Sequence, residues 1–462
     1  MSVKSQQVWI VGAGLAGALL AALLAKRGFK VTVSERRSSV ELEQLAAGRS
    51  INLALAARGL HALASLGTLQ TSRGERSVKD AVLAQAIAMP GRMVHLRSGE
   101  QSYQPYAADG KQAIWSVHRA RLNRTLLRVA EQAGAQFRYD ERVVSLDLDA
   151  RTGSVERAGT VAQVRFDLVI GADGAGSVVR DAIAAATASE PYFAPLDHGY
   201  KELTIAPAAD GKFALPPAAL HIWPRGAHML IALPNPDYTF TCTLFLQNEG
   251  SPSFAELSDA ASVRTWFSAQ FPDAVPLMPE FVDEALNNPL GKLATLHCPV
   301  WHYQDRALIL GDAAHALVPF HGQGMNCAFE DCVALARLLD APDANWGAVF
   351  AELEADRKPQ ATAIAQMALE NYLEMRDQVA DPQFQLRKAL EQSLALRHPG
   401  HFVPRYELVS FTRHDYALAQ ARGVWQSALL NALTLGRSRL EEVDLLEADR
   451  RINAELPPLP AL

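Results

Sequence analysis

The stretch Val8-Trp-Ile-Val11-Gly12-Ala-Gly14-Leu-Ala-Gly17 decides the fold of the first part of this chain. Its apolar run predicts a buried strand, and the glycine-rich turn that follows opens a helix extending to about Arg27. A second apolar run, Val31-Thr-Val-Ser-Glu35, predicts the next strand. A strand, a glycine-rich turn, a helix and a second strand in this order form the βαβ unit that binds dinucleotides.

The glycines and the acidic residue of this unit have separate physical roles. Gly12 permits the tight turn, Gly14 lets the backbone approach a pyrophosphate, and Gly17 lets the helix pack closely on the strand. Glu35 lies about 20 residues further on, where an acidic side chain holds a ribose 2′-hydroxyl. We therefore expect a dinucleotide of the ADP-ribose type, and a glycine-rich turn without a ligand is the alternative.

Two later stretches narrow the choice of dinucleotide. A strand and a second glycine-rich turn are predicted by Phe166-Asp-Leu-Val-Ile-Gly171-Ala-Asp173-Gly174-Ala-Gly176. A buried strand ending in an aspartate, a proline-broken turn and a glycine-opened helix are predicted by Leu308-Ile-Leu-Gly-Asp312-Ala-Ala-His-Ala-Leu-Val-Pro319-Phe-His-Gly322-Gln-Gly324-Met-Asn326. An aspartate at a strand tip can accept a hydrogen bond from a ribityl hydroxyl, and a helix amino terminus favours a negatively charged flavin. These features indicate a flavin, and an ordinary strand-turn-helix corner is the alternative.

The composition limits the classes of protein to which the chain can belong. At 462 residues it is long enough for two or three structural units with large cores. A formal net charge of −6 does not suggest a polybasic surface, so we expect no nucleic acid partner. We expect no metal site and reduced, buried, inert cysteines, because no CxxC pair or zinc-like spacing occurs among Cys242, Cys298, Cys327 and Cys332.

Neither end of the chain predicts a targeting or membrane segment. The amino terminus enters the first strand directly, without room for a signal peptide, so the cytoplasm is the expected location. No apolar stretch approaches the ~20 residues that cross a bilayer, and we expect no membrane partner. The last segment, residues 437–462, is charged and then proline-rich, which predicts a partly frayed terminus.

The patterning along the chain predicts four segments. We expect a first dinucleotide-binding part over 1–190, with an inserted segment near 75–115 that contributes to a substrate pocket, and a second part over 301–345. Short β-rich runs over 191–300 predict an antiparallel sheet; in the last of them Phe240, Cys242, Leu244 and Leu246 fall on one face. Apolar spacing at three and four predicts a helical region over 346–462.

The three glycine-bearing elements, in this order, resemble the class A flavoprotein monooxygenases related to p-hydroxybenzoate hydroxylase. That resemblance implies an α/β fold with an α+β substrate region, in which a Rossmann-like FAD-binding domain accompanies an antiparallel-sheet substrate domain and a helical carboxyl-terminal region. It also implies one FAD held permanently, NADPH admitted transiently, and a role for the Asp173-Gly174 turn in binding both.

Several segments resemble one family within that class, the kynurenine 3-monooxygenases of bacteria. The matching segments are Gly48-Arg49-Ser50-Ile51-Asn52-Leu53-Ala54-Leu55, Gly91-Arg92-Met93-Val94-His95, Gln104-Pro105-Tyr106, Val318 to Asn326, Glu370-Asn371-Tyr372 and Pro404-Arg405-Tyr406. The resemblance implies hydroxylation of L-kynurenine to 3-hydroxy-L-kynurenine with NADPH and O₂, through a flavin C4a-hydroperoxide, in tryptophan degradation. This chain lacks the hydrophobic carboxyl-terminal anchors of mitochondrial relatives, so membrane attachment is not carried over.

The same resemblance implies the residues of both sites. Substrate-binding positions are matched by Arg92, Tyr106, Asn371 and Tyr406, and pocket-lining positions by Phe320, His321, Glu374 and Met375. FAD-binding positions are matched by Leu15, Glu35, Arg36, Arg119, Asp312, Met325 and Asn326, with Arg49 as an additional neighbour; the glycine-rich turns add Gly12, Gly14, Gly17, Asp173 and Gly324.

These residue types suit a zwitterionic aromatic amino acid. A substrate carboxylate calls for a planar, permanently charged donor such as Arg92, and the phenols of Tyr106 and Tyr406 can complete the contact. Asn371 offers a donor and an acceptor. An isolated arginine is more often part of a surface salt bridge, which is the alternative for Arg92. We assign no catalytic acid or base, and His321 is only a pocket candidate.

Three other functions remain open from the sequence. The chain could hydroxylate another aromatic acid, it could be a flavin reductase that never uses oxygen, or it could bind a flavin without catalysis. The substrate is expected to be a small molecule, and the chain is expected to be a monomer or a homodimer.

Overall fold

The computed structural model describes residues 3–42, 52–72, 74–107, 110–375 and 381–461. Within them the strands β1 to β21 are, in chain order, Gln7–Val11, Lys30–Ser34, Asn52–Leu55, Thr68–Thr71, Gly74–Ser77, Ile87–Met89, Gly91–His95, Gln101–Pro105, Ile114–His118, Gln136–Arg138, Glu141–Asp147, Thr152–Arg157, Thr160–Arg165, Leu168–Gly171, Tyr192–Ile205, Leu220–Pro224, Met229–Pro234, Phe240–Gln247, Gly291–His297, His302–Tyr303 and Ala307–Ile309.

The α-helices of the same described ranges are named α1 to α14. They are, in chain order, Leu15–Lys26, Ala57–Ser65, Val78–Leu83, Arg119–Gln132, Val178–Thr187, Ala260–Gln270, Phe281–Asn287, Asp312–His315, Gly324–Leu338, Trp346–Leu373, Pro382–Arg397, Arg405–Phe411, Tyr416–Thr434 and Leu445–Glu455. Four short 3₁₀ helices also lie in this part of the chain, at Val3–Ser5, Val275–Leu277, Pro319–His321 and Leu440–Glu442.

The chain divides into two compact units, each built from three separate segments. Unit 1 contains Met1–Ala86, Val117–Leu196 and Ala294–Ala365, and unit 2 contains Ile87–Ser116, Asp197–Leu293 and Gln366–Leu462. Four of the five boundaries fall inside β9, β15, β19 and α10, and the boundary between Ala86 and Ile87 lies directly before β6.

Unit 1 is built on a sheet of six strands in the order β10-β2-β1-β14-β21-β20. The first five run parallel and β20 is antiparallel to its neighbour. Strand β1 is apolar and buried from Val8 to Val11, as expected for a central strand covered on both faces. The βαβ unit predicted from the amino-terminal sequence is therefore confirmed, with α1 between two parallel strands.

Unit 2 contains a mixed sheet of seven strands in the order β19-β15-β18-β17-β16-β7-β8. The predicted alternation in β18 is confirmed, since Phe240, Cys242, Leu244 and Leu246 are all buried in one hydrophobic cluster with α6 and α7. Strands β7 and β8 come from the segment between 87 and 116, and β7 runs parallel to β16. This register brings a distant segment of sequence, with Arg92, onto the sheet.

The carboxyl-terminal part of unit 2 is helical, as predicted, and it packs around buried side chains of α11, α13 and α14. The prediction of a frayed terminus is wrong for residues 456–459. Leu456 is 5% exposed, the Arg422 guanidinium donates to the Pro457 carbonyl at 3.0 Å, and the Leu459 N–H donates to the Gly400 carbonyl at 2.8 Å. Buried contacts of this kind hold the tail against the helices.

Two further predictions concern cysteines and membranes. All four cysteines are free and buried, as expected. None of the helices in the described part of the chain combines the length and apolarity needed to cross a membrane.

Candidate functional site

The first glycine-rich turn of unit 1 leaves an open space at one position and is closed at the others. A Cβ atom on Gly12, which has φ of 97°, would lie 2.6 Å from the Ala172 carbonyl oxygen, and one on Gly17 would lie 1.9 Å from the Gly12 carbonyl oxygen. Nothing lies within 4 Å of the corresponding position on Gly14. The turn therefore needs glycine for its own folding at two positions and presents open backbone at the third, which fits the approach of a pyrophosphate.

Glu35 is tied to that turn. Its Oε2 accepts a hydrogen bond from the Ala13 N–H at 2.9 Å, and its Oε1 accepts from the Arg37 Nε at 2.8 Å. Burial opposes ionisation of Glu35, but the bonds from Arg37 and Ala13 outweigh it and hold the pKa below its ordinary value. The result is a fixed, ionised carboxylate at the end of β2, as needed to accept a ribose hydroxyl.

The other predicted cofactor residues near this turn differ in exposure. Arg36 and Arg119 are exposed, and Leu15, the first residue of α1, is partly buried. Arg49 lies outside the described residues. The exposed arginines offer positive charge on the side of unit 1 that carries Glu35 and the start of α4.

Asp173 follows β14, the neighbour of β1 in the sheet. Its Oδ2 accepts from the Val178 N–H at 2.8 Å, while its Oδ1 is buried without a hydrogen-bond partner among the described residues. Burial raises the pKa of this carboxyl group. A buried acceptor without a partner is costly on its own, so this atom fits a site that a polar ligand group completes.

The third glycine-bearing element, residues 308–326, contains an exposed aspartate, Asp312, and a buried asparagine, Asn326. Asp312 is exposed at the start of α8, after Gly311, whose φ of 58° favours glycine. Gly324 opens α9 with nothing within 4 Å of its Cβ position, and Met325 beside it is partly buried. The free N–H groups at the start of this helix suit the anionic edge of a reduced flavin.

Asn326 has a structural role that the sequence did not indicate. Its Oδ1 accepts from the Ala56 N–H at 2.9 Å, and its Nδ2 donates to the carbonyls of Ala54 and Gly322 at 2.9 and 3.0 Å. The side-chain amide therefore joins β3, the entry to α2 and the Gly322 turn, and it positions backbone around the candidate flavin site.

A group of charged side chains contacts the third glycine-bearing element, residues 308–326, and the sequence did not indicate it. We call it the Asp331 cluster; its members are Arg58, His315, Glu330, Asp331 and Arg357. Asp331 is completely buried, and its Oδ2 accepts from the Gly311 N–H at 3.1 Å and lies 2.6 Å from the His315 Nε2. The carboxylate thus holds both ends of the turn that carries Asp312.

The positive charge of the Asp331 cluster comes from arginine. The Arg357 Nε donates to Asp331 Oδ1 at 2.9 Å and its Nη2 donates to Glu330 at 2.8 Å, while Arg58 donates to the same glutamate at 3.0 Å. His315, Cys327 and Asp331 place ligand atoms within 4.8 Å of one another. The Arg357 guanidinium lies 3.8 Å from the Cys327 sulfur, so a cation already occupies this group of atoms.

The predicted substrate residue Arg92 lies on the β7–β8 hairpin of unit 2. Arg92 pairs with Gln104 across the hairpin, and its Nε donates to the Gln104 Oε1 at 2.8 Å. The Tyr106 N–H donates to the Pro90 carbonyl at 3.0 Å, which brings Tyr106 to the same end of the hairpin. Among the described residues, no carboxylate forms an ion pair with the Arg92 guanidinium. The surface salt bridge considered from the sequence is therefore absent there.

Tyr106 and Tyr406 form an aromatic pair. Their rings are stacked with centroids 4.9 Å apart, and Phe411 lies 6.3 Å from each. Burial is the main cause that raises the pKa of Tyr406 and raises that of Tyr106 further, whereas the nearby Arg92 charge opposes both shifts. Both phenols consequently remain protonated at neutral pH and can donate to a carboxylate.

The remaining predicted pocket residues fall into two groups. Asn371 and Met375 are buried at the end of α10 and just after it, and the Asn371 Nδ2 lies 3.2 Å from the Met375 sulfur. Glu374 is partly buried in the same stretch. Phe320 and His321 belong to unit 1, where both are buried in the 3₁₀ helix Pro319–His321.

A lysine that the sequence did not single out lies against Glu374. The Lys388 Nζ is 3.7 Å from a Glu374 carboxylate oxygen, 3.0 Å from one of Glu391, and 5.5 Å from the centre of the Phe384 ring. We call Arg92, Glu374, Lys388 and Glu391 the Lys388 cluster. A lysine on a helix usually indicates a solvated face, so no sequence signal marked this one.

Comparison with known proteins agrees with the FAD-binding fold and with the family resemblance. The family model of an FAD binding domain matches residues 5–275 and 298–368, more than half of the chain. The kynurenine 3-monooxygenase of Stenotrophomonas maltophilia (strain K279a) is 50% identical over 457 residues and covers 98% of each chain. That of Xanthomonas campestris pv. campestris (strain 8004) is 49% identical over 460 residues, covering 99% of this chain and 98% of the relative.

Solved structures share the fold at lower identity. The tetrameric form of 2-methyl-3-hydroxypyridine-5-carboxylic acid oxygenase aligns with a TM-score of 0.63 at 20% identity, over 84% of this chain and 96% of its own. PqsL of P. aeruginosa in complex with 2-aminobenzoylacetate aligns with a TM-score of 0.62 at 21% identity, over 79% and 95%. Given the FAD-binding domain and the near full-length identity to curated relatives, the chain belongs to the kynurenine 3-monooxygenase family of FAD-dependent monooxygenases.

Proposed function

We propose that this chain hydroxylates L-kynurenine at the ring carbon ortho to the aniline amino group, giving 3-hydroxy-L-kynurenine, with NADPH and O₂ as co-substrates. The observation that carries the proposal is the Arg92 guanidinium beside the Tyr106 and Tyr406 phenols, without a protein carboxylate paired to it among the described residues. An arginine with a planar fork and two neutral phenol donors is suited to the carboxylate of an amino acid.

The substrate would bind through its amino acid end. Its carboxylate would accept from Arg92 and the two tyrosines, and the buried Asn371 amide would contact its polar groups. Each charge is costly to bury alone, so the pairing of Arg92 with a carboxylate offsets the desolvation of both. Glu374, Met375, Phe320 and His321 are proposed as further pocket residues, on the family resemblance.

The residues of unit 1 fit FAD. Gly12, Gly14, Gly17 and Glu35 would hold its ADP half, and Asp312, Gly324, Met325 and Asn326 would hold its flavin half. Arg36, Arg49, Arg119, Leu15 and Asp173 are proposed as additional contacts. When bound and reduced by NADPH, FAD supplies the chemistry that activates O₂ for transfer of one oxygen atom to the ring.

The protein is proposed to contribute binding, orientation and exclusion of water, without a side-chain base. The aniline nitrogen of kynurenine donates electron density into its own ring, so the carbon ortho to it is nucleophilic without removal of a proton. His321 is buried in unit 1 and is assigned no proton transfer. The proposal therefore predicts that His321→Gln keeps a measurable rate of hydroxylation.

The test is substrate-stimulated turnover with product identification. The purified, FAD-loaded protein is mixed with NADPH and separately with L-kynurenine, p-hydroxybenzoate and L-tryptophan, and both NADPH consumption and products are followed. We expect stimulation and a hydroxylated product with L-kynurenine. Stimulation only by p-hydroxybenzoate would point to another aromatic acid, and NADPH oxidation without any hydroxylated product would point to a flavin reductase.

The proposal also includes the cellular location and the oligomeric state. We propose that the protein acts in the cytoplasm as a monomer or a homodimer. The four free, buried cysteines support a reducing compartment, because a chain with this core needs no disulfides.

A further inference from the structure

The Lys388 cluster contains two cations and two carboxylates, and both carboxylates contact the same cation, Lys388. Lys388 contacts both Glu374 and Glu391, at 3.7 and 3.0 Å, whereas Arg92 has only the neutral Gln104 amide as a hydrogen-bond partner among the described residues. Both glutamates therefore contact the lysine, and among the described residues neither forms an ion pair with the arginine, although arginine is the stronger partner for a carboxylate.

The fold brings Lys388 to the face of the sheet that carries Arg92. Arg92 and Val94 are two residues apart on β7, so their side chains lie on the same face of the strand. Phe384 of α11 packs against Val94 in one hydrophobic cluster. Lys388 follows Phe384 by one helical turn, on the same side of the helix, and stays in contact with its ring.

The electrostatics of Lys388 agree with this packing. Burial opposes the charge on Lys388, and Glu374 and Glu391 outweigh it and raise the pKa, while Arg92 acts in the opposite sense. The Arg92 charge therefore acts on Lys388, as expected if the packing of Phe384 on Val94 brings the lysine near the arginine. The side chains of Lys388, Glu374 and Glu391 are 32%, 21% and 14% exposed, so water screens them only in part.

We propose that Lys388 is a positioning residue that retains the Glu374 and Glu391 carboxylates and so keeps the Arg92 guanidinium available for the carboxylate of the substrate. The inference rests on the proposed function, because it requires a substrate that carries a carboxylate. Without the lysine, two carboxylates tethered to the same unit would compete for Arg92 at a high effective concentration, and the arginine would pair within the protein.

The experiment measures equilibrium binding in the absence of NADPH. Equilibrium dialysis of the FAD-loaded protein gives the Kd for L-kynurenine and for kynuramine, which lacks the carboxylate. We expect Lys388→Met to raise the Kd for L-kynurenine about tenfold, which corresponds to about 1.4 kcal/mol, with a smaller change for kynuramine. Lys388→Arg should retain the wild-type Kd, since it keeps the charge.

A combined variant separates the mechanism from a simple loss of folding. In Lys388→Met with Glu391→Gln, one of the two carboxylates that would compete for Arg92 is removed and the pocket residue Glu374 is kept, so affinity for L-kynurenine should partly recover relative to Lys388→Met alone. Lys388→Gln serves as a second neutral variant with the same expected loss. Lys212→Met removes an exposed lysine paired with Asp210 in the same unit and serves as the matched control, with the wild-type Kd expected.

Three outcomes would overturn the inference. They are an unchanged Kd in both neutral variants, equal losses for kynurenine and kynuramine, and no recovery in the combined variant. Failure of the proposed function gives a different result, because the wild-type protein itself would then not bind L-kynurenine.

Discussion

The Asp331 cluster of unit 1 and the Lys388 cluster of unit 2 contain the same numbers of carboxylates and of lysine or arginine cations, and they use them differently. In the first, both arginines contact carboxylates, and Asp331 is completely buried between Arg357 and His315. In the second, one lysine takes both carboxylates and Arg92 is left with a neutral amide.

The difference separates a structural network from a binding site. A buried network in which every charge is paired fixes backbone, and here it fixes the Gly311 turn next to Asp312. In a cluster that leaves one cation without a carboxylate, the charge of that cation is compensated only when an anion binds. We therefore expect damage to the first cluster to appear as lost stability and lost FAD, and damage to the second as lost substrate affinity.

The largest effect is expected for Asp331→Ala. Removing this carboxylate leaves the buried Arg357 Nε–H and the Gly311 N–H without their acceptor and leaves Glu330 as the remaining carboxylate on Arg357, at a cost of about 3–5 kcal/mol in the free energy of unfolding. Urea unfolding and the FAD content of the purified protein would measure it. Lys212→Met, which breaks an exposed ion pair, should change neither quantity; a stable, fully FAD-loaded Asp331→Ala protein would contradict the structural role of the cluster.

A smaller effect, on substrate only, is expected for Arg92→Ala. Loss of the charge-assisted contact should weaken binding of L-kynurenine by about 2–5 kcal/mol, at unchanged FAD content. The measurement is KM with FAD absorbance as the control for folding. Arg97→Ala, an exposed arginine that donates to Gln270, is the matched variant and should keep the wild-type KM. An unchanged KM for Arg92→Ala would remove Arg92 from the substrate site.

The smallest effect is a difference in pH dependence between the clusters. Burial opposes ionisation of Asp331, but His315 and Arg357 lower its pKa below the ordinary 3.8, so its contribution to stability is present above that value and is lost as the pH falls through the folded-state pKa. The pKa of Lys388 is raised above 10.5, so its contribution is present below that value and is lost as the pH rises further.

Unfolding measured from acid to alkaline pH would resolve the two contributions. Asp331→Asn should flatten the acid side of the stability profile and leave the alkaline side, and Lys388→Met should do the reverse. Profiles that change on the same side in both variants would show that the clusters do not act through these groups.

Much of unit 1 could be predicted from the sequence because its signals are local. The turn from Gly12 to Gly17 and the acid at Glu35 are close in sequence, and the geometry of the turn explains why glycine is needed at Gly12 and Gly17 and why Glu35 is held against it. Strand β18 could also be predicted, because the alternation of side chains between the two faces of a strand is visible in the strand's own sequence.

The two charged clusters and the position of the carboxyl-terminal tail could not be predicted, because they depend on contacts between segments that are distant in sequence. Nothing near Lys388 in the sequence indicates that α11 packs on β7, or that Glu374, directly after α10, contacts Lys388. Arg357 lies in the middle of α10 and would be expected in solvent, yet it is 4% exposed because Glu330 and Asp331 of another helix face it. The charged and then proline-rich composition of residues 437–462 predicts a partly frayed terminus, whereas a distant partner, Arg422, holds the tail at Pro457.

We propose above all that this FAD-binding protein transfers an oxygen atom from O₂ to the ring of L-kynurenine. The most direct measurement is turnover with NADPH and L-kynurenine under isotopically labelled O₂, followed by mass spectrometry of the product. We predict that one labelled oxygen atom appears in 3-hydroxy-L-kynurenine, in proportion to the NADPH consumed. NADPH consumption that leaves kynurenine unmodified, or that gives an unlabelled product, would show that the protein does not transfer oxygen from O₂ to the substrate.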